Sequence, residues 1–528
     1  MSGVIAAGSD ITAQAGAEML AQGGNAFDAI VAAALATASG EPTLTSIAGG
    51  GIILMRDGDS GDSYVVDCFG NAPGLGLESE VEKDFFPVDL NFGPAIQRFY
   101  VGRASCGVPG VLLGLLKVHE RWGKLPFKDV IAPACRYLKE GVAFGQYQTA
   151  AMNLLAPILK LCPESHALFR HAPGQDDLLQ PGDIFKNVAL AETLETMAKE
   201  GPIPFYRGEL TERMLKAFGP KQGGLLTRDD LEQYEVEVRK PMRIHYKDAR
   251  LYCNPPPAAG GEMIACMLSL LEYANVGQFP ANSLERVQIL ANAMKVADHF
   301  RTIGQTNYSA KNLGKWKDYF DETRQQPLAT SPEITDGRGH TTHISIIDAD
   351  SNAVGMTFSH GEGNGFIIPE TGIMMNNLMG EEDLHPDGWF QIPPGQRLST
   401  MMCPTLLHRP EKALIMMGTG GANRIRTAIV QTVNLLLDHQ FTAKEAISFP
   451  RIHFEGGILN AEIFAGPTQA ALESLGPDDL VAFNEPSLFF GGVHMVMAQN
   501  QEELIGTGDA RRNGNCLKVS DKGEITKL

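Results

Sequence analysis

Gly339-His340-Thr341-Thr342-His343-Ile344-Ser345-Ile346-Ile347-Asp348 is where the chain changes character. Upstream, Asp318 to Gly339 is polar and charged, carries Pro327 and Pro332, and holds few aliphatics, as an exposed linker does. Downstream the period becomes that of strands: Thr341 to Asp348, Ala353 to Ser359, Gly372 to Asn376, and Ala413 to Met417. Threonine pairs are common in strands, because β-branching suits a pleated surface. A chemical role for this pair needs an accessible segment before it, a hydroxyl opening a buried strand, and an oxyanion site elsewhere. The linker supplies the first and Thr341 the second. Gly418-Thr419-Gly420-Gly421-Ala422-Asn423, between a strand and the amphipathic helix Asn423 to His439, supplies the third.

That glycine run also invites a dinucleotide-binding reading, but Asn423 stands where the third glycine of such a fingerprint belongs. No G-x-x-x-x-G-K-[ST] loop, H-E-x-x-H helix or G-x-S-x-G elbow occurs.

Working outward, Ile11 to Gln22 and Asn25 to Ala38 carry helical spacing around Gly23-Gly24. The second is apolar nearly all round, as a core helix is. Ile52 to Met55 and Ser63 to Asp67 form a predicted hairpin turned by Asp57 to Gly61. From Val108 to Phe300 the pattern is mainly helical, for example Val111–Trp122, Val188–Glu200 and Leu284–Arg301. A terminal strand is expected at Val493 to Ala498. Strands, helices and strands in that order suggest two sheets sandwiched by helices.

The 528 residues are 44% hydrophobic and 20% charged, the balance of a globular protein with a large core. A formal charge of −18 opposes binding to nucleic acid or an anionic membrane surface. No apolar run is long enough for a membrane helix, and Met1 to Gln14 lacks the basic and apolar regions of a signal peptide. The eight cysteines form no CxxC pair, so free, mostly buried thiols are expected, with no metal and no cofactor. The expected location is cytoplasmic.

Seven segments in order resemble the γ-glutamyltransferase family. They are Gln22 to Ala29 (QGGNAFDA), Ala48 to Gly51 (AGGG), Gly107 to Gly110 (GVPG), Pro255 to Gly261 (PPPAAGG), Thr341-Thr342-His343 with Asp350 to Val354, Met375-Asn376-Asn377, and Pro404-Thr405. The resemblance implies an α+β fold, the four-layer αββα sandwich of the N-terminal-nucleophile hydrolases, with a large helical portion in the N-terminal part. It implies a precursor that cuts itself between His340 and Thr341 into a large-subunit region, 1–340, and a small-subunit region, 341–528. The two would stay associated as one catalytic domain; further oligomerisation is left open. Thr341 becomes the nucleophile and its freed α-amine the base, with an intrinsic pKa near ~7.7–8.0. No histidine is then needed, and His343 is expected to be structural. Ser359 stands where the family has a second threonine, and Gly421 and Ala422 where it has its oxyanion donors.

The departures fall on the substrate side. Phe69 takes the place of the arginine that holds the donor's α-carboxylate. Asn377 keeps its place, Leu378 replaces a glutamine, and Glu381 keeps a carboxylate for the donor's amine. Ser399 and Thr400 match the paired serines only with one inserted residue, and Glu382 to Arg397 is shorter than the usual lid. Losing a guanidinium partner costs a carboxylate of order ~2–5 kcal/mol of binding. Arg103 and Arg424 are the cations that could compensate. The substrate is thus a small-molecule or peptide amide, with a γ-glutamyl or related acyl group such as glutaryl passed to water or an amine. Alternatives are an acylase acting on larger amides through an open site, and a non-catalytic binding paralogue.

Overall fold

The computed structural model describes residues 2–91, 96–201, 203–324, 341–463, 472, 480–500 and 503–528. Alternation along the Thr342–Asp348 strand sets the layers. Ile344 and Ile346 point to one face and join a core with the helices Asp10–Ala21 and Ala26–Gly40. His343 and Ser345 point to the other face, toward a second sheet.

The first sheet has eight antiparallel strands in the order Ile525–Lys527, Asn515–Val519, Gly3–Ala7, Thr342–Asp348, Ala353–Ser359, Gly50–Arg56, Ser63–Cys68, Glu237–Arg239. The second has six, also antiparallel: Glu503–Thr507, His494–Gln499, Ala413–Gly418, Thr405–Arg409, Ala249–Cys253, Met242–Tyr246. Helices Gly260–Tyr273, Leu284–Thr302 and Arg424–Leu437 cover the second sheet with a core of their own. The expected αββα sandwich is the fold.

Local chemistry explains the helical pair. Ser9 caps the first helix, and Asn25 with Asp28 forms a capping box on the second, a device stabilising by about 1 kcal/mol. The Asp28 carboxylate also accepts from the backbone of Lys124 and Leu125, so the QGGNAFD segment ties a helix start to a distant loop. A Cβ at Gly16 would lie 2.4 Å from Ile5 Cδ1 and 3.1 Å from the Ala29 carbonyl, so only glycine lets this helix lie so close to its neighbours. The predicted hairpin is present, and Asp57 accepts from the backbone of Asp59 and Ser60 at its turn.

Several expectations need correction. Besides the short pair Val142–Ala143 and Ile184–Phe185, three longer strands lie inside the span read as helical: Glu237–Arg239, Met242–Tyr246 and Ala249–Cys253. They sit at or beside sheet edges, where charged residues interrupt the apolar signal. The supposed linker begins late, because Asp318 to Thr323 belongs to the helix Ala310–Thr323, anchored by buried Trp316 and Phe320. From position 325 on, that segment, with His340, lies outside the described residues. Gly372 to Asn376 shortens to Ile373–Met374, paired with Ile367–Ile368. The strand near Val493 is not terminal; three more follow it and return the chain to both sheets.

All eight cysteines are free and buried, as expected. Between the sheets, His343 Nε2 lies 2.8 Å from Ser345 Oγ and Nδ1 lies 2.8 Å from Thr357 Oγ1. The Ser345 hydroxyl donates its proton to the His494 carbonyl, so it accepts from Nε2–H, and Nδ1 accepts from Thr357. That pattern satisfies a neutral imidazole, and burial holds His343 well below its usual pKa. The expected structural role fits. Burial likewise lowers His453 and His494 to about 4. Above pH 6.5 these groups are neutral in both folded and unfolded chains. As pH falls from 6.5 toward 4 only the unfolded chain takes up the protons, and stability declines. Each of the two contributes up to about 3 kcal/mol of this loss. The urea midpoint should therefore drop markedly between pH 7 and pH 4.5; an unchanged midpoint would contradict this.

Candidate active site

The strand pairing Thr342↔Phe358 continues by one residue to set Thr341 opposite Ser359. The Ser359 hydroxyl accepts from Gly361 N at 2.8 Å. Beneath it, a Cβ at Gly49 would stand 2.2 Å from the Ser359 carbonyl, which is why the AGGG turn tolerates no side chain there. The Gly49 carbonyl accepts from Gly110 N and Val111 N, and Asn376 bonds both Ala48 and Gly107. Three of the resemblance segments therefore converge behind Ser359. A fourth, Pro255 to Gly261, supports the opposite wall: Ala259 N donates to Thr400 O and Asn254 Nδ2 to Met402 O.

Thr341 is buried, and its carbonyl accepts from Arg512 Nη1 at 3.1 Å. Gly420 packs on the same carbonyl, leaving no room for a Cβ. Next come Gly421 at φ +120° and Ala422 at φ +45°, whose carbonyls accept from Arg424 N and Ile425 N as the helix Arg424–Leu437 begins. Alanine in that left-handed conformation costs about 1 kcal/mol more than glycine. A helix start beside the threonine is a place where negative charge is stabilised.

Thr341, Ser359 and Ala422 share one pocket of about 20 Å³ with Phe69, Glu381 and Thr400. Leu378, Leu384, Met401, Met402, Ile425 and Asp383 complete its wall. Seven of the residues singled out in the sequence, Leu378 among them, therefore meet. Gly421 stands one residue behind Ala422 and is not in the wall. Ser399 is half-buried away from the pocket. Asn377 is committed elsewhere, its Oδ1 accepting from Glu362 N at 2.8 Å and its Nδ2 donating to Tyr100 O at 3.3 Å, so it braces the wall rather than reading substrate.

Neither candidate compensating cation forms part of the pocket wall, although the charge of Arg424 acts on Asp383. Arg103 pairs with Asp84 at 2.8 Å and lies over the Phe366 ring; Arg424 donates to Phe489 O and lies over its ring. The short Glu382 to Arg397 segment does not leave the site open. Leu384 enters the pocket wall, and Trp389 is held among the rings of Phe85, Tyr100 and His385.

Burial pushes the Glu381 carboxyl well above the usual range, with Asp383 and Glu362 adding repulsion. Burial also raises Asp383, with Glu455 adding repulsion, while Arg301 and Arg424 pull it down. On the other side of Thr341, Glu41 accepts from Thr342 Oγ1 at 2.7 Å and Thr12 Oγ1 at 3.0 Å; burial raises its carboxyl against these bonds and the charge of Arg512. Sequence reasoning missed Asp383, Arg512 and Arg301. Arg301 donates to Asp383 O and Asn423 Oδ1, tying the pocket to the glycine turn. Ala510-Arg511-Arg512 reads as surface charge; only the return of the last strands to the first sheet brings Arg512 to Thr341. Among the described residues no group of three or more His, Cys, Asp or Glu is arranged to hold a metal ion.

Comparison with known proteins bears on the fold and the family. The acylase ACY 1 proenzyme of Pseudomonas sp. (strain SE83) is 31% identical over 533 residues, covering 98% of this chain and 94% of its own length. The glutathione hydrolase proenzyme of Escherichia coli (strain K12) is 28% identical, covering 96% and 90%. A cephalosporin acylase from Bacillus halodurans has the same fold, with a TM-score of 0.79 at 23% identity over 98% of this chain and 95% of that one. The gamma-glutamyltranspeptidase family model matches residues 12–519. A match that spans all but the two ends settles the affiliation: the chain belongs to the γ-glutamyltranspeptidase family of N-terminal-nucleophile enzymes.

Proposed function

We propose that the chain cuts itself before Thr341 and then cleaves amides through an acyl ester on the Thr341 hydroxyl. The observation that carries this is the meeting of Thr341, Ser359 and Ala422 in one pocket. In the first step the freed α-amine takes the hydroxyl proton as Oγ attacks the amide carbonyl carbon. The N–H groups of Gly421 and Ala422 stabilise the resulting oxyanion, each such donor contributing about 3–4 kcal/mol. The C–N bond breaks, and the departing amine takes the proton from the α-ammonium. Water or an acceptor amine then attacks the ester, gives its proton to the α-amine, and releases Oγ. Arg512, at the Thr341 carbonyl, opposes protonation of the neighbouring amine and keeps it available as a base. Regions 1–340 and 341–528 remain one unit because their strands alternate within the sheets.

The acyl donor is proposed to differ from γ-glutamyl, because the Phe69 ring occupies the wall and no lysine or arginine does among the described residues. A chromogenic butanoyl anilide tests the chemistry independently of that specificity. Protein quenched in acid during turnover should show, by intact mass spectrometry, a fragment starting at Thr341 that carries one butanoyl group. Turnover without any acylated fragment would rule out the ester intermediate.

A further inference from the structure

Glu41 is a buried carboxyl that takes no part in the proposed amide cleavage. It ends the helix Ala26–Gly40, donating its N–H to Thr37 O, and is 3% exposed. One of its oxygens accepts from Thr342 Oγ1 at 2.7 Å and the other from Thr12 Oγ1 at 3.0 Å. Thr12 in turn lies 2.7 Å from the hydroxyl of Ser9, the cap of its own helix. The carboxyl is thus rooted in two core helices and grips the residue next to the nucleophile. A Cβ at Gly8 would stand 2.4 Å from Glu41 Oε1 and 3.0 Å from Thr342 Oγ1, so a glycine leaves room for the two to meet.

Stability does not explain this carboxyl. Burial pushes it above the usual range in spite of its two hydroxyl donors and the charge of Arg512, whose hydrogen bonds go to Thr341 O and Leu488 O. Apolar groups of the same shape would fill the place of Glu41 and the Thr342 hydroxyl at little cost or none. Position does explain it. Arg512 and Gly420 hold the Thr341 carbonyl, and Glu41 holds the side chain of Thr342 beyond it. The peptide unit between the two threonines is therefore fixed from both sides. What stays adjustable at Thr341 is rotation about its N–Cα and Cα–Cβ bonds. Those two rotations close the five-membered ring of Oγ1, Cβ, Cα, N and the preceding carbonyl carbon that a self-cut requires.

Resting on the proposed cut before Thr341, we infer that Glu41 is a positioning residue for that cut. Thr341 Oγ1 bonds to the carbonyl carbon of the preceding residue, the C–N bond breaks, and the hydroxyl proton passes to the departing nitrogen. Water then splits the ester into a carboxylic acid and the restored hydroxyl. Glu41 touches none of the reacting atoms. Its hold on Thr342 keeps Oγ1 in line with the carbonyl carbon, and the gain is one of orientation.

The rate of the cut tests this, followed on denaturing gels while pulse-labelled full chain from cell-free translation is chased. Glu41→Met, of similar shape but without acceptors, and Thr342→Val should each slow conversion into two fragments by about 10- to 100-fold, the scale of a misplaced nucleophile. The paired variant should be no slower than the slower single one, because both changes release the same hold. Placed in the uncut Thr341→Ala chain, the same pair of changes should leave the thermal midpoint close to that of its parent, since both partners of a buried hydrogen bond become apolar together. A fold effect would vanish in the paired variant, whereas a positioning effect persists there. A cut at the wild-type rate in either single variant, slowing that multiplies in the paired one, or a midpoint that falls with the pair would each overturn the inference while the self-cut stands. A wild-type chain that is never cut would overturn the self-cut itself, and this inference with it.

Discussion

Thr341→Ala should yield a single chain of 57.0 kDa on a denaturing gel where the wild type yields two fragments. In the proposed mechanism one hydroxyl serves twice. It first attacks the carbonyl of the preceding residue, exchanging a peptide bond for an ester that water then opens. It later attacks the substrate amide. Alanine removes both steps, and the α-amine that would act as base stays locked in a peptide bond. Anilide turnover should fall by at least about 10³-fold, the scale of deleting a nucleophile. The fold should survive, since the change removes only a hydroxyl and a methyl group from a strand end, at about 1 kcal/mol. A wild-type protein that stays whole, or an alanine variant that is still cut, would end the proposal.

Gly420→Ala is expected to have the second-largest effect. Its Cβ would stand 1.9 Å from the Thr341 carbonyl oxygen, and the obstacle is backbone, so no rotamer change relieves it. Either the glycine turn or Thr341 must move by an ångström or so. Displacements of that size cost about 100-fold in rate where a nucleophile and its oxyanion donors must meet one carbonyl. Overpacking should also destabilise the fold by about 1–3 kcal/mol. Gly314→Ala is the matched control. It lies within the helix Ala310–Thr323 with nothing near its Cβ position, and should stabilise by up to about 1 kcal/mol without touching turnover. Wild-type processing and turnover in Gly420→Ala would show that the turn does not position Thr341.

The nucleophile side of the site was legible in the sequence because backbone geometry fixes it. Thr341 and Ser359 lie on neighbouring strands of strict register, and the glycines around them are dictated by close approach. Thr400, Glu381 and Phe69 were found through their place in recognisable segments. Asp383, Arg301 and Arg512 were not, because charged residues in polar runs read as solvated surface until the fold buries them. The same difficulty hid the strands Glu237–Arg239 and Met242–Tyr246, whose exposed charged positions mask an alternating pattern. The lid was misjudged for another reason: its length is short, but Trp389 and Leu384 pin it by packing, which length does not report.

The strand orders have a consequence for how the protein can be made and lost. Cutting before Thr341 would leave Gly3–Ala7 between two strands of the other fragment, and Ala353–Ser359 against Gly50–Arg56. With Thr405–Arg409 beside Ala249–Cys253 in the second sheet, four seams join the fragments by backbone hydrogen bonds. Separating them is then equivalent to unfolding them. The intact precursor folds as one molecule, whereas the cut protein, once denatured, must find its other half by collision. Refolding yield should thus depend on concentration after the cut and not before it, so the mature enzyme persists by the slowness of its unfolding rather than by its ability to recover.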